Sequence, residues 1–87
     1  MMHVSVISPE AAVFDGDADS VVAPAGDGSV GILPHHAPLM TTLGKGTLVV
    51  KAGGVAHRFN VQGGFMQVVK NSVRILVEQI QGDANAA

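Results

Sequence analysis

The sequence predicts an all-β domain, a sandwich or a barrel. Two observations carry that expectation. Eleven glycines and four prolines interrupt the chain every few residues, which leaves no room for an amphipathic helix of ~10–12 residues. Between these breaks apolar and polar residues alternate, and turn signals recur at ~8–12-residue spacing.

The elements follow in order. His3-Val4-Ser5-Val6-Ile7-Ser8 alternates up to Pro9, and Val13-Phe14 reads as a second, brief extended piece. Ser20-Val21-Val22-Ala23 ends at Pro24, and Val30-Gly31-Ile32-Leu33 ends at Pro34. A polar-to-apolar stretch covers residues 38–43. Thr47-Leu48-Val49-Val50-Lys51 then turns through Ala52-Gly53-Gly54 into a strand over residues 55–61. There Val55, His57, Phe59 and Val61 share one face, and Ala56, Arg58 and Asn60 the other. Residues 65–69 and 73–78 form a last hairpin through Lys70-Asn71-Ser72, with Val73, Ile75 and Val77 on one face.

A chain of 87 residues makes one domain. It is expected to span residues 1–81, with residues 82–87, small and polar, as a frayed tail. A domain of this size holds one modest core and no large enclosed active site. Hydrophobic residues make up 47% and charged residues 14%, against a usual ~25% charged. So few charges leave wide apolar and uncharged-polar surface, which marks protein–protein contact. The composition is that of a subunit.

Several function classes fall away. Cysteine is absent, which excludes disulfides, thiol catalysis and cysteine-based zinc sites. A net charge of −2 offers no basic footprint for nucleic acid. No apolar run approaches the ~18 residues of a membrane-spanning helix, and Met1-Met2-His3-Val4-Ser5 opens no signal peptide. The chain reads as soluble and intracellular.

Four patterns resemble sites and fail on their chemistry. Gly26-Asp27-Gly28-Ser29-Val30-Gly31 has the letters of a dinucleotide fingerprint, but Pro34 and Pro38 forbid the helix that must follow. A turn between strands is expected there instead. Asp15-Gly16-Asp17-Ala18-Asp19 has the alternating carboxylates of a calcium loop. Its sixth and twelfth positions, however, are Ser20 and Gly26 rather than glycine and glutamate, so a solvated acidic turn is expected. His35 and His36 are adjacent and point apart in an extended segment, so they do not chelate one ion together. None of Ser5, Ser8, Ser20, Ser29 and Ser72 sits in a Gly-x-Ser-x-Gly elbow. No enzyme and no cofactor site is expected.

One segment is more specific. Gly28-Ser29-Val30-Gly31-Ile32-Leu33-Pro34-His35-His36-Ala37-Pro38-Leu39 resembles a stretch of the epsilon subunits of bacterial F-type ATP synthases. In that family it typically reads Gly-Glu-(Leu or Phe)-Gly-Ile-(Leu or Tyr)-Pro-Gly-His-Ala-Pro-Leu. Val6-Ile7-Ser8-Pro9-Glu10 and Val13-Phe14-Asp15-Gly16 are similar to the family's opening strand and the turn after it. Leu43-Gly44-Lys45-Gly46 is similar to its central turn. Gly63-Gly64-Phe65-Met66-Gln67-Val68 and Asn71-Ser72-Val73-Arg74-Ile75-Leu76 are similar to its closing hairpin. The likeness covers nearly the whole chain in order. Two departures stand inside the segment: Ser29 replaces a glutamate of the ring-facing loop, and His35 replaces a glycine.

The resemblance implies a two-layer β-sandwich of about ten short strands, of the epsilon N-terminal type. It implies a non-catalytic rotor subunit, bridging the gamma subunit and the polar loops of the c-ring. Rotation driven by protons or sodium ions would thereby reach the catalytic core. It places the chain on the cytoplasmic face of a bacterial inner membrane, held there only through the complex. It also implies that the inhibitory helical hairpin of longer family members has no counterpart here. Interface candidates are Ser29, Val30, Gly31, His36, Ala37, Pro38 and Leu39. Two prolines four residues apart stiffen that loop, and His36 between them serves either the interface or the structure. The rival reading is a stand-alone module that binds a ligand or peptide along a strand edge.

Overall fold

The structure, a computed structural model, describes residues 2–26 and 28–81. Eight strands account for most of them: β1 (Met2–Ile7), β2 (Ala12–Ala18), β3 (Ser20–Ala25), β4 (Gly28–Ile32), β5 (Leu39–Thr42), β6 (Lys45–Ala52), β7 (Val55–Val69) and β8 (Ser72–Gln81). They hydrogen-bond in the order β2-β1-β8-β7-β6-β3-β4, with β5 beside β7. All pairs are antiparallel except β1 and β8, which run parallel, His3 beside Ser72 through Ile7 beside Leu76. The first and last strands of the fold thus lock together.

The strands number eight where about ten were expected; β7 joins into one the two strands expected over residues 55–61 and 65–69. Its first half pairs with β6, Ala52 opposite Val55 through Lys45 opposite Gln62. Its second half pairs with β5, Thr42 opposite Phe65 through Leu39 opposite Val68. Gly63 and Gly64 join the halves with φ of 77° and 127°, a bend that side-chain-bearing residues rarely adopt. At Gly64 a Cβ would fall within 2.9 Å of the Leu76 carbonyl carbon and the Val77 Cα, and closer still to the Leu76 oxygen. The sheet therefore folds over at a point where only glycine fits. This bend turns one sheet into two layers.

Both layers feed one core. Val4 and Val6 of β1, Met66 and Val68 of β7, and Val73, Ile75 and Val77 of β8 are buried from one side. Val21 and Ala23 of β3, Ile32 of β4, Leu48 and Val50 of β6, and Phe59 and Val61 of β7 are buried from the other, and all belong to one cluster. The alternation reflects the period-two placement of side chains on a strand. Each fully buried Val, Leu, Ile, Phe or Met side chain stabilises the fold by about 1.5–3 kcal/mol. Phe14 of β2 meets His57 of β7 across the layers, ring centroids 5.2 Å apart.

The short extended piece at Val13-Phe14 and the acidic turn after it form one strand, β2. Asp15 and Asp17 alternate outward while Ala18 turns into the core, so the carboxylates are solvated on a strand rather than in a loop. The Asp15 carboxylate meets His3 Nε2 at 2.6 Å, and Asp17 lies 3.7 Å from Nδ1. Hairpins close tightly at both glycine- and asparagine-bearing turns. Gly53 and Gly54 have φ of 59° and 82°, Lys70 and Asn71 φ of 49° and 62°, the positive values that two-residue hairpin turns require. The tail expected to fray, residues 82–87, lies outside the described residues.

Candidate interface

Residues 33–38 carry the chain from β4, in one layer, to β5, in the other. Both strands lie at a margin of their layer: β4 pairs only with β3, and β5 only with β7. The segment singled out by its prolines thus forms one flank of the sandwich, two strand edges and the loop that joins them. From residue 28 to residue 44 the sequence has no Asp, Glu, Lys or Arg. The flank carries no fixed charge.

The candidate residues divide by direction. Ser29 and Gly31 are exposed on β4, opposite Pro24 and Val22 of β3. Val30 and Leu39 are half-buried and pack against the core, so their side chains support the flank from within. Ala37 and Pro38 are exposed in the loop, and His36 is half-buried. The His36 ring nitrogen Nδ1 lies 2.6 Å from the Ala37 carbonyl oxygen. A carbonyl only accepts, so in this contact Nδ1 is the donor. The His36 backbone N–H donates to the Leu33 carbonyl at 3.2 Å, closing the turn.

His35 takes a left-handed φ of 67°, a conformation that costs a residue with a Cβ roughly 1–2 kcal/mol. Its backbone N–H donates to the Asn71 side-chain oxygen at 2.6 Å, and the Asn71 carbonyl accepts from the His3 N–H at 2.9 Å. The β7–β8 turn therefore holds both the loop and the first strand. Among the described residues no three His, Cys, Asp or Glu side chains are grouped to hold a metal ion.

Two residues of this flank escaped the sequence reading. Leu33 is 64% exposed and Met40 66%, more than any other large hydrophobic residue among those described. Alternation could have flagged Met40, one place beyond the inward-facing Leu39. Leu33 is expected as the last residue of a strand, but β4 stops at Ile32. On the outer face of the layer that holds β5, Ile7, Leu76 and Phe65 stand side by side on β1, β8 and β7, Phe65 being 39% exposed. Elsewhere, a polar depression of about 620 Å³ is lined by Lys45, Thr47, Asn60, Gln62, Gln79 and Gln81. It sits away from the flank, on β6, β7 and β8. No helix among the described residues is long and apolar enough to cross a membrane.

Residues 1–82 match the family described as ATP synthase, Delta/Epsilon chain, beta-sandwich domain. A protein named ATP synthase epsilon chain from Leptospira borgpetersenii serovar Hardjo-bovis is 47% identical over 77 residues, covering 88% of this chain and 61% of that one. One of the same name from Caulobacter vibrioides is 43% identical over 77 residues, covering 88% of this chain and 90% of its own length. Against the Leptospira relatives the chain spans about 61% of their length. Among solved structures, a chain of the Euglena gracilis mitochondrial ATP synthase, solved as OSCP, F1 and c-ring, superposes with a TM-score of 0.84. It is 20% identical and covers 91% of this chain and 51% of its own. A chain of the Tetrahymena thermophila mitochondrial ATP synthase central stalk and c-ring gives 0.80, also at 20% identity, covering 93% and 66%. At that identity the two structures show a shared fold.

Proposed function

The chain belongs to the family of ATP synthase delta/epsilon β-sandwich domains, and from that membership we propose that it works as an epsilon-type, non-catalytic subunit of an ATP synthase central stalk. The observation that carries this reading is the match over residues 1–82, together with 47% identity to an epsilon chain. The chemistry of the fold agrees. A rotor component has to be stiff and to offer broad contact rather than to react. The two layers share one core, and the first and last strands of the chain pair in parallel.

The partners in this proposal are the gamma subunit and the polar loops of the c-ring. Through them, ion-driven rotation reaches the catalytic core. The uncharged flank of β4, the loop and β5 is the contact surface, with Ser29, Gly31, His36, Ala37 and Pro38 presented and Val30 and Leu39 beneath. Supporting this assignment are the absence of fixed charge over residues 28–44 and the exposure of Leu33 and Met40. Interface centres are depleted in charged residues and enriched in methionine and aromatics. Ser29 stands where the family typically has glutamate, so contact there is made without a carboxylate. The site of action in this reading is the cytoplasmic face of a bacterial membrane, reached through the complex.

The test is reconstitution. ATP synthase depleted of its native epsilon subunit is mixed with this chain, and both incorporation and ion-driven ATP synthesis are measured. Incorporation with recovered synthesis is expected. A folded chain that does not incorporate would contradict the proposal.

A further inference from the structure

Resting on the central-stalk reading, we propose that the unpaired edge of β4 receives an extended strand from a neighbouring subunit of the assembly. Among the described residues three strands have one side unpaired along their whole length: β2, β5 and β4. Such an edge presents rows of N–H and C=O groups, and proteins guard it with charge, proline or brevity.

Two of the three edges are guarded. On β2, Asp15 and Asp17 are exposed and clamped to His3 at 2.6 and 3.7 Å. A β-bulge between Val6 and Ile7 breaks the register near its start. β5 is four residues long and is preceded directly by Pro38. β4 is nearly as short as β5, but no charge and no proline lies within the strand itself. Gly28, Ser29, Val30, Gly31 and Ile32 include no charge and no proline.

The edge is also open. Beyond the pairing with β3, no hydrogen bond described for these residues engages β4. Gly28, Ser29 and Gly31 are exposed, and a Cβ built on either glycine would meet nothing within 4 Å. The outward face of β4 carries only Ser29 and Gly31, so no bulky side chain there crowds a strand paired at the ~4.8 Å spacing of a β-ladder. Leu33, 64% exposed just past the end of β4, supplies an apolar anchor beside the ladder. Backbone pairing would provide the attachment and Leu33 the side-chain contact, the usual division in strand addition.

The length of β4 selects the occupant. Five residues extend about 17 Å, and symmetric pairing with a second copy over that distance alone falls short of the ~1,200 Å² of a stable interface. A neighbour already held by other contacts meets the edge at high effective concentration, so a short ladder suffices. The occupant is an uncharged extended segment of such a neighbour.

Hydrogen exchange tests this on the protein itself, free and after incorporation into ATP synthase. In the free chain the outward-facing amides of residues 28–32 exchange fast. In the complex they are expected to slow by about a hundredfold or more, while the outward amides of residues 12–18 stay fast. Incorporation with unchanged exchange over residues 28–32 overturns the strand addition and leaves the central-stalk reading intact. Protection that appears in the free chain as its concentration is raised assigns the edge to a second copy and overturns the proposal. Failure to incorporate removes the central-stalk reading, and the inference with it.

Discussion

The backbone N–H of His35 donates to the Asn71 side-chain oxygen at 2.6 Å, and both residues have left-handed backbones, φ 67° and 62°. One hydrogen bond thus fastens the β4–β5 loop to the β7–β8 turn, thirty-six positions away in sequence. Asparagine suits both demands, since it tolerates positive φ and offers an acceptor. Replacing Asn71 by Ala should destabilise by about 1–3 kcal/mol, combining backbone strain with an unpaired amide. Asn71→Asp keeps the acceptor and should cost well under half as much. Denaturant midpoints of the two variants check this; equal losses would show that the hydrogen bond contributes nothing.

His35 holds its conformation against its own Cβ. His35→Gly should therefore stabilise by about 0.5–1 kcal/mol, or raise Tm by roughly 4 °C for a domain this size. The family's typical glycine at this place has a physical reason in the same angle. A lower Tm would mean that the imidazole makes a contact worth more than the strain.

The bend of β7 gives a sharper contrast. Gly64→Ala should destabilise by about 4 kcal/mol or more, because the methyl group collides with the backbone of β8. Gly53→Ala, at φ 59° with open space around it, should cost about 1 kcal/mol. Thermal unfolding of the two variants compares them directly. Similar stabilities would contradict the role given to the bend.

Exposure predicts a separation of stability from binding on the flank. Leu33→Ala and Met40→Ala should each leave stability within about 0.5 kcal/mol of the parent. If the flank is the interface, each should weaken binding to the gamma subunit about tenfold, the loss of more than 1 kcal/mol that marks an important interface side chain. His36→Asp should weaken it further by burying a carboxylate without a partner. Unchanged affinity in all three would move the interface off this flank and assign His36 to structure.

Much of this arrangement was legible in the sequence because strand alternation is local. Val73, Ile75 and Val77 fall on one face and are buried as their spacing predicts. Phe59 and Val61 do the same, while Val55 of that face is half exposed because it opens the strand next to the Gly53-Gly54 turn. The turn in the Gly26-to-Gly31 motif closes a β3–β4 hairpin, with Ala25 opposite Gly28. What stayed hidden depends on pairing between distant segments. That β7 runs on through Gly63 and Gly64 follows from β8 lying against both of its halves, and no local signal distinguishes such a bend from a strand end. That Val30 and Leu39 support the flank while Leu33 and Met40 face outward follows from where β4 and β5 stop. The proline-framed segment was visible in the sequence, but only the fold gave the direction of each of its side chains.

The most direct test of the central claim is the affinity of this 87-residue chain for a family gamma subunit, measured by calorimetry. One-to-one association, with a Kd in the micromolar range or tighter, is the predicted result. A folded chain showing no heat of binding and no co-purification would contradict the central-stalk role while leaving the sandwich fold in place.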